Sequence, residues 1–248
     1  MKLITLGCSY SDISNTDDDT IQANSDVVYP RVLDYKYNIE SLNLAQCGYS
    51  NDQIIRQVYH NTKKDTTYIC QLTYLHRRGR YVDIADEWID FQPAFFQNPQ
   101  IKNKKVFWKV MKEYYFDATR NAEDVPRSDK FNNLTKSQIQ KLKDWYGGYM
   151  GLIHNDDEEF KHLMYQIDML QSYVEKNNSR IMFIYWPEVN TEYQLNQIKD
   201  RNFLSIKENY SMLNWSTSNS LLGWDSHMNP EGHELLADSI FEYINQWK

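Results

Sequence analysis

The fold class follows from one stretch of the sequence, RIMFIYW at residues 180–186. After its basic first residue, this stretch contains only apolar and aromatic side chains and shows no alternation with polar ones. Such a run is typical of a parallel β-strand that helices cover on both faces, because neither side of that strand meets water. The stretch therefore predicts an α/β protein with a buried parallel sheet.

The rest of the chain repeats an alternation of strands and helices. Short apolar or β-branched runs predict strands at residues 2–6, 41–44 and 66–72. Apolar residues at helical spacing predict helices at residues 27–37, 51–58, 160–174 and 230–244. Strands that alternate with helices form a sheet covered on both sides. We therefore expect an α/β fold with three layers, α/β/α, around a mostly parallel, flavodoxin-like sheet of five strands.

The central segment, residues 75–155, interrupts this alternation. It is polar and helix-prone, and it is rich in aromatic residues that include Trp88, Trp108 and Trp145. Because the strand pattern resumes after it, we interpret it as a helical insertion within a single domain of residues 1–248. Two roles remain open for its aromatics: a border of the site that selects the substrate, or a satellite core and oligomer interface.

Composition and charge argue against several function classes. The chain has 27 basic and 34 acidic residues among 248, so its net charge of −7 does not suit a nucleic-acid surface. No apolar run reaches the ~18 residues of a membrane span, and the N-terminal run is too short for a signal peptide. The three cysteines lack any metal-binding or disulfide spacing, which indicates the cytoplasm. Without nucleotide-binding or metal-ligand motifs, we expect neither cofactor nor metal.

In a parallel sheet, functional residues gather where the strands end at their carboxyl edge. Four polar segments follow predicted strands or precede the last helix: GCSYS at 7–11, NLAQCGYSN at 43–51, QLTY at 71–74 and DSHMNPEGH at 225–233. Together they resemble the SGNH (GDSL-type) hydrolase family. The resemblance covers both ends of the chain and omits the central segment. It implies a nucleophilic serine after the first strand and a histidine just before the last helix.

Within this resemblance, Ser9 is the nucleophile, His227 the base and Asp225 the residue that orients His227. The chemistry requires this grouping, because a serine hydroxyl is a poor nucleophile until an oriented base takes its proton. Cys8 is a competing nucleophile. Asp225 lies two residues before His227 rather than the three usual in the family, so a backbone carbonyl could orient the imidazole instead. His233 is expected to be structural.

The oxyanion formed during acyl transfer needs hydrogen-bond donors aimed at it. We expect the backbone N–H groups of Ser9 and Gly48 to supply two. The family's third donor is an asparagine side chain after the third strand, and here either Thr73 or Gln71 stands near that place. Asn51 either contacts the substrate or, together with Ser50, caps the helix that follows.

Arg77, with Arg78 and Arg80, forms a basic cluster close to the third of these segments. The guanidinium of Arg77 could bind a carboxylate or phosphate of the substrate. The alternative is a solvated turn.

These residues favour a serine esterase that cleaves an acyl ester, for example an acetyl ester on a glycan, through an acyl-serine intermediate. Two alternatives remain. One is an O-acyltransferase with the same triad. The other is an inactive SGNH-like binding or structural module, for which the glycine-poor, Asn-, Lys- and Tyr-rich composition is compatible with a phage-encoded protein in a virion or host cytoplasm.

Overall fold

The computed structural model describes residues 2–8, 11, 28–39, 41–46, 49–82, 87–91, 148–222 and 227–247, with isolated positions between 135 and 145. Its contacts divide the chain into two compact units. The first unit comprises Met1–Tyr74 and Phe160–Lys248, and the second comprises Leu75–Glu159. The single-domain organisation with an insertion at 75–155 stays a prediction.

The described strands and helices follow one another in the order expected of an α/β chain. The strands are β1 (Lys2–Leu6), β2 (Ser41–Asn43), β3 (Thr66–Leu72), β4 (Arg78–Val82), β5 (Glu87–Phe91) and β6 (Arg180–Tyr185). The helices are α1 (Tyr29–Tyr37), α2 (Asn51–His60), α3 (Asp156–Lys176), α4 (Glu192–Lys199), α5 (Met212–Ser218) and α6 (Pro230–Asn245). None of the described helices is long and apolar enough to cross a membrane.

The first unit is built on a parallel sheet with the strand order β2-β1-β3-β6. Every residue of β3 is buried, and so is every residue of β6 after Arg180, as expected of parallel strands that helices cover on both faces. Ile69, Met182 and Ile184 pack on one face in a core shared with α1 and α6. On the opposite face, the ring of Tyr185 packs edge to face against that of Phe160 in α3, with 6.0 Å between the ring centroids. The unit is therefore a three-layer α/β/α fold, as predicted.

A partial fifth strand lies along the outer edge of β6. Phe203 pairs with Phe183, and Ser211 pairs with Tyr185, each through an isolated parallel bridge. Between these two points the chain leaves the sheet in a tight turn at 206–209, so a continuous strand cannot form. The predicted five-stranded sheet is thus realised as four strands and this interrupted fifth one.

The second unit differs from the helical segment expected at 75–155. Strands β4 and β5 form an antiparallel pair in which Tyr81 lies opposite Trp88. The expectation of helix is wrong for residues 78–82 and 87–91, because aromatic and β-branched residues favour a pleated strand over a helix. A single π-helical turn, Tyr149–Ile153, precedes α3. Trp108 lies outside the described residues.

Candidate active site

The candidate site begins at Gly7, directly after β1, where the surrounding atoms leave no room for a Cβ. A Cβ added to Gly7 would lie 2.7 Å from Oγ of Ser11 and 3.1 Å from Cβ of Gln71. The backbone N–H of Ser11 donates to the carbonyl of Cys8 at 3.0 Å. Cys8 and Ser11 are both fully buried, so the two residues that flank positions 9 and 10 are anchored in the core. Ser9 itself lies outside the described residues.

A buried hydrogen-bond network fixes Ser11. Its hydroxyl donates to Oε1 of Gln71 and lies 3.3 Å from the hydroxyl of Tyr29. Nε2 of Gln71 lies 3.9 Å from the sulfur of Cys8. Burial raises the pKa of the Tyr29 hydroxyl, so this group stays neutral. The amide of Gln71 is therefore committed to the segment that carries Ser9.

Asn43, at the end of β2, connects the loops that follow β1 and β2. Its Nδ2 donates to the carbonyl of Ser11 at 2.7 Å, and its Oδ1 accepts from the N–H of Ala45 at 2.9 Å. The N–H of Gln46 also donates to the carbonyl of Gly7 at 3.2 Å. These bonds hold the first and second polar segments side by side. Gly48 lies outside the described residues.

Asn51 clamps the end of β3. Its Nδ2 donates to the carbonyl of Thr73 at 3.0 Å, and its Oδ1 accepts from the N–H of Thr73 at 2.8 Å. Asn51 is the first residue of α2, whereas Ser50 caps this helix by accepting from the N–H of Gln53. The predicted cap is therefore confirmed for Ser50 and wrong for Asn51, whose side chain turns to the sheet instead.

The two alternatives for the third oxyanion donor differ in their surroundings. The donor atom of Gln71, Nε2, points to the buried sulfur of Cys8 at 3.9 Å, while its Oε1 accepts from Ser11. The hydroxyl of Thr73 is buried and has no hydrogen-bond partner among the described residues.

The segment that carries His227 is positioned by the start of α6. Leu222 and Met228 form an isolated antiparallel bridge. Oδ1 of Asn229 caps the helix by accepting from the N–H of Gly232 at 2.8 Å. A Cβ on Gly232 would lie 2.4 Å from Cγ of Met228, so glycine is needed for the close approach. His227, half-buried, directly precedes this closely packed region. Asp225 lies outside the described residues.

His233 is buried on α6, as expected of a structural residue. Its Nδ1 accepts a hydrogen bond from the backbone N–H of Tyr29 at 3.3 Å. Burial, with a smaller effect from the nearby His227, lowers its pKa from 6.5 to about 4. Tyr29 thus contacts both sides of the candidate site: its hydroxyl meets Ser11, and its backbone N–H meets the helix that follows His227.

Arg77 belongs to the second unit, and its role in substrate binding stays a prediction. Its neighbour Arg78 forms a salt bridge of 2.7 Å with Glu159 and stacks over the ring of Tyr149 at 5.3 Å. Both charged side chains are largely buried. The solvated-turn interpretation is therefore wrong for Arg78, since its guanidinium is part of the packing of this unit.

Sequence reasoning overlooked three residues that shape the site. Ser11 and Asn43 lie inside the polar segments, where the small polar side chains themselves were the available signal. Tyr29 offered no signal beyond its place at the start of a helix. Among the described residues, no group of three or more His, Cys, Asp or Glu side chains could hold a metal ion.

Comparisons with known proteins found similarity to solved structures alone. No protein-family profile matches the sequence, and no curated protein does. The esterase EstA from Pseudoalteromonas sp., inhibited by monoethylphosphonate, aligns over 99% of this chain and 97% of its own, with 12% identity and a TM-score of 0.45. A member of the lipolytic protein G-D-S-L family from Veillonella parvula DSM 2008 aligns over 98% and 97%, with 11% identity and a TM-score of 0.34. Similarities of this size carry no argument about activity.

Proposed function

We propose that the protein is a serine hydrolase of acyl esters, with Ser9 as nucleophile and His227 as base. The observation that carries this proposal is the double contact of Tyr29. Its hydroxyl lies 3.3 Å from that of Ser11, and its N–H bonds to His233 on the helix that begins just after His227. The segment expected to carry the nucleophile and the helix that follows the expected base therefore both contact Tyr29, the first residue of α1.

In the proposed reaction, the Ser9 oxygen attacks the acyl carbon while its proton passes to His227. The bond to the alcohol then breaks, and the alcohol leaves with the proton that His227 returns. Water next attacks the acyl-serine and gives its proton to His227. Breaking of the acyl–serine bond releases the carboxylic acid, and His227 returns the proton to Ser9. Asp225 or a backbone carbonyl holds the imidazole in the required orientation.

We assign the oxyanion contacts to the N–H groups of Ser9 and Gly48 and to the hydroxyl of Thr73. Two observations support Thr73 over Gln71. The Thr73 hydroxyl is buried without a partner among the described residues, whereas the Nε2 donor of Gln71 is directed to the buried sulfur of Cys8 and its Oε1 to Ser11. A buried donor without a partner is costly unless another molecule satisfies it. In this assignment, Asn51 acts by holding the backbone of Thr73.

Cys8 is a poor candidate for the nucleophile. It is fully buried in the core formed with α1 and α6, where no substrate reaches its sulfur. This burial supports Ser9, one residue further along the chain.

The experiment that tests the proposal compares Ser9→Ala with the matched control Cys8→Ala. Hydrolysis of p-nitrophenyl acetate should fall by ~10⁴-fold in Ser9→Ala, since a triad without its nucleophile keeps little activity. Cys8→Ala should retain turnover. A fluorophosphonate should add to Ser9, as mass spectrometry of the modified peptide would show. Full activity in Ser9→Ala, with loss in Cys8→Ala, would refute the assignment.

A further inference from the structure

A cleft lies in the first unit, at the carboxyl end of β6. Its volume is about 460 Å³, within the range of sites that bind small molecules. Three parts of the chain line it: the loop that follows β6, the tight turn at 206–209 and the start of α5. Among the described residues that line it, none is an expected catalytic residue.

The side chains that line this cleft are mainly neutral hydrogen-bonding groups. The amides of Asn190 and Asn214 and the hydroxyl of Tyr210 form no hydrogen bond to any other described residue. The backbones that carry the two amides are nevertheless fixed. The N–H of Asn190 donates to Oε1 of Gln194 at 3.0 Å, and the N–H of Asn214 donates to Oγ of Ser211 at 3.1 Å. Side-chain amides with donors and acceptors that no described residue uses suit a ligand rich in hydroxyl groups.

The charges around the cleft disfavour an anion. Lys207 is the single basic residue among the lining side chains, and Glu192 and Glu208 are both acidic. The acidic excess would repel a phosphate or a carboxylate. Together with the neutral amides and the ring of Tyr210, it favours an uncharged sugar.

The turn that forms one wall of the cleft is strained. Ile206 and Asn209 exchange two backbone hydrogen bonds of 2.9 and 3.0 Å, which leaves Lys207 and Glu208 as the two residues of the loop. Both have positive φ, 51° and 64°, a conformation that normally selects asparagine or glycine. Strained residues of this kind cluster at ligand clamps, where function keeps them despite their cost. Their presence at this wall is a second indication of a binding site.

We propose that this cleft binds a neutral sugar ring of the acylated substrate, an inference that rests on the proposed esterase function. The cleft and the segment that carries Ser9 lie at the same edge of the sheet. Strands in a sheet are spaced by about 4.8 Å, so β6 lies about 10 Å from β1. A glycan that runs along this edge would place one ring in the cleft and an acylated ring towards Ser9.

Binding is tested with cellotetraose, xylotetraose and chitotetraose by saturation-transfer NMR on the intact chain, with tetragalacturonate as the anionic comparison. At least one neutral tetrasaccharide should bind, and Asn190→Ala combined with Asn214→Ala should weaken it roughly tenfold through lost hydrogen bonds. Asn196→Ala is the matched control, because this exposed amide on α4 does not line the cleft. It should leave binding unchanged. Circular dichroism confirms that each variant is folded.

Turnover separates this inference from the proposed function. The ratio of kcat/KM for acetylated xylotetraose to that for p-nitrophenyl acetate should fall about tenfold in the double variant, mainly through KM, and stay unchanged in Asn196→Ala. Absence of binding by all three neutral sugars, preference for tetragalacturonate, or equal binding by the double variant would overturn the cleft assignment even if the esterase is active. Sugar binding without Ser9-dependent hydrolysis would keep the sugar site and refute the esterase.

Discussion

Two buried threonine hydroxyls, those of Thr5 and Thr73, have no hydrogen-bond partner in the described part of the chain. Thr5 lies inside β1, whereas Thr73 directly follows β3 at the carboxyl edge of the sheet. A buried polar group without a partner lowers the stability of the fold by roughly 1–3 kcal/mol. Of the two, Thr73 is the residue that we propose as a hydrogen-bond donor to the substrate oxyanion, because it lies at the carboxyl edge of the sheet.

This pair yields a prediction in which stability and activity change in opposite directions. Thr73→Val should keep or raise the free energy of unfolding, because valine has the same shape and removes the unsatisfied hydroxyl. The same variant should lower kcat for p-nitrophenyl acetate by about 100-fold, the usual effect of losing one oxyanion donor. Thr5→Val is the control: it should also keep or raise the free energy of unfolding, but it should leave kcat unchanged. Equal kcat in both variants would rule out Thr73 as a donor.

His233 makes stability depend on pH. Burial lowers its pKa from 6.5 to about 4, so as the pH falls through this window the unfolded chain takes up a proton before the folded one. The contribution of His233 is complete above pH 6.5 and declines towards pH 4. Between these two pH values, the free energy of unfolding falls by roughly 2–3 kcal/mol through His233.

Urea unfolding of the wild type and His233→Asn, measured from pH 7 to pH 4.5, checks this prediction. Asparagine can still accept the hydrogen bond from the N–H of Tyr29 but does not titrate. The loss of stability on acidification should therefore be smaller in the variant by about 2 kcal/mol. Identical slopes in the two proteins would show that His233 is not the group responsible.

Among the elements, two salt bridges provide a contrast between buried and exposed ion pairs. Arg78, at the start of β4, pairs with Glu159 in the first turn of α3, and 13% and 12% of their side chains are exposed. Lys36 of α1 pairs with Asp238 of α6 at 2.6 Å, with exposures of 38% and 35%. Removing one partner of a buried pair leaves the other charge desolvated, whereas water compensates at an exposed pair.

We therefore expect Glu159→Gln to lower the free energy of unfolding by about 3 kcal/mol. Asp238→Asn should lower it by less than about 1 kcal/mol. Urea denaturation at neutral pH measures both values. Similar losses in the two variants would indicate that the Arg78 guanidinium is well solvated despite its packing.

Helices and strands with strong local patterns could be predicted from the sequence. β3 was predicted over its full length, β6 ended one residue earlier than predicted, and α6 begins at Pro230 as expected. The interrupted fifth strand could not be predicted, because the turn at Lys207 and Glu208 lacks the glycine or asparagine that marks such turns. The β4–β5 pair was missed because its two segments are short, lie within a polar stretch of sequence and show little alternation of apolar and polar residues.

The candidate site was predictable in its segments and not in their connections. The contact between Ser11 and Gln71 joins residues 60 positions apart, and that between Tyr29 and His233 joins residues 204 apart. Neither pair follows a local pattern, because each depends on how helices and strands pack. The sequence therefore indicated the residues expected to take part in the chemistry, but not the hydrogen bonds that fix the segments carrying them.

At the level of the whole molecule, the two units should differ in local stability. β3 is flanked on both sides by strands, whereas β4 and β5 pair only with each other in the described part of the chain. Two-stranded pairs are marginally stable on their own, and amide exchange reports such differences. Hydrogen exchange by mass spectrometry should show amides of residues 67–72 and 181–185 exchanging ~10²-fold more slowly than those of 78–82 and 87–91. Equal protection would mean that both units open together.

The borders of the main sheet have a consequence for behaviour at high concentration. β2, at one border, is only three residues long, and Phe203 and Ser211 cover part of β6 at the other. A long uncovered strand edge is a template on which strands of other molecules can add, and that addition begins fibril growth. In the described sheet, β2 is too short to pair with another strand over a long distance, and the outer edge of β6 is partly paired already. We therefore expect little amyloid-like self-association through these edges.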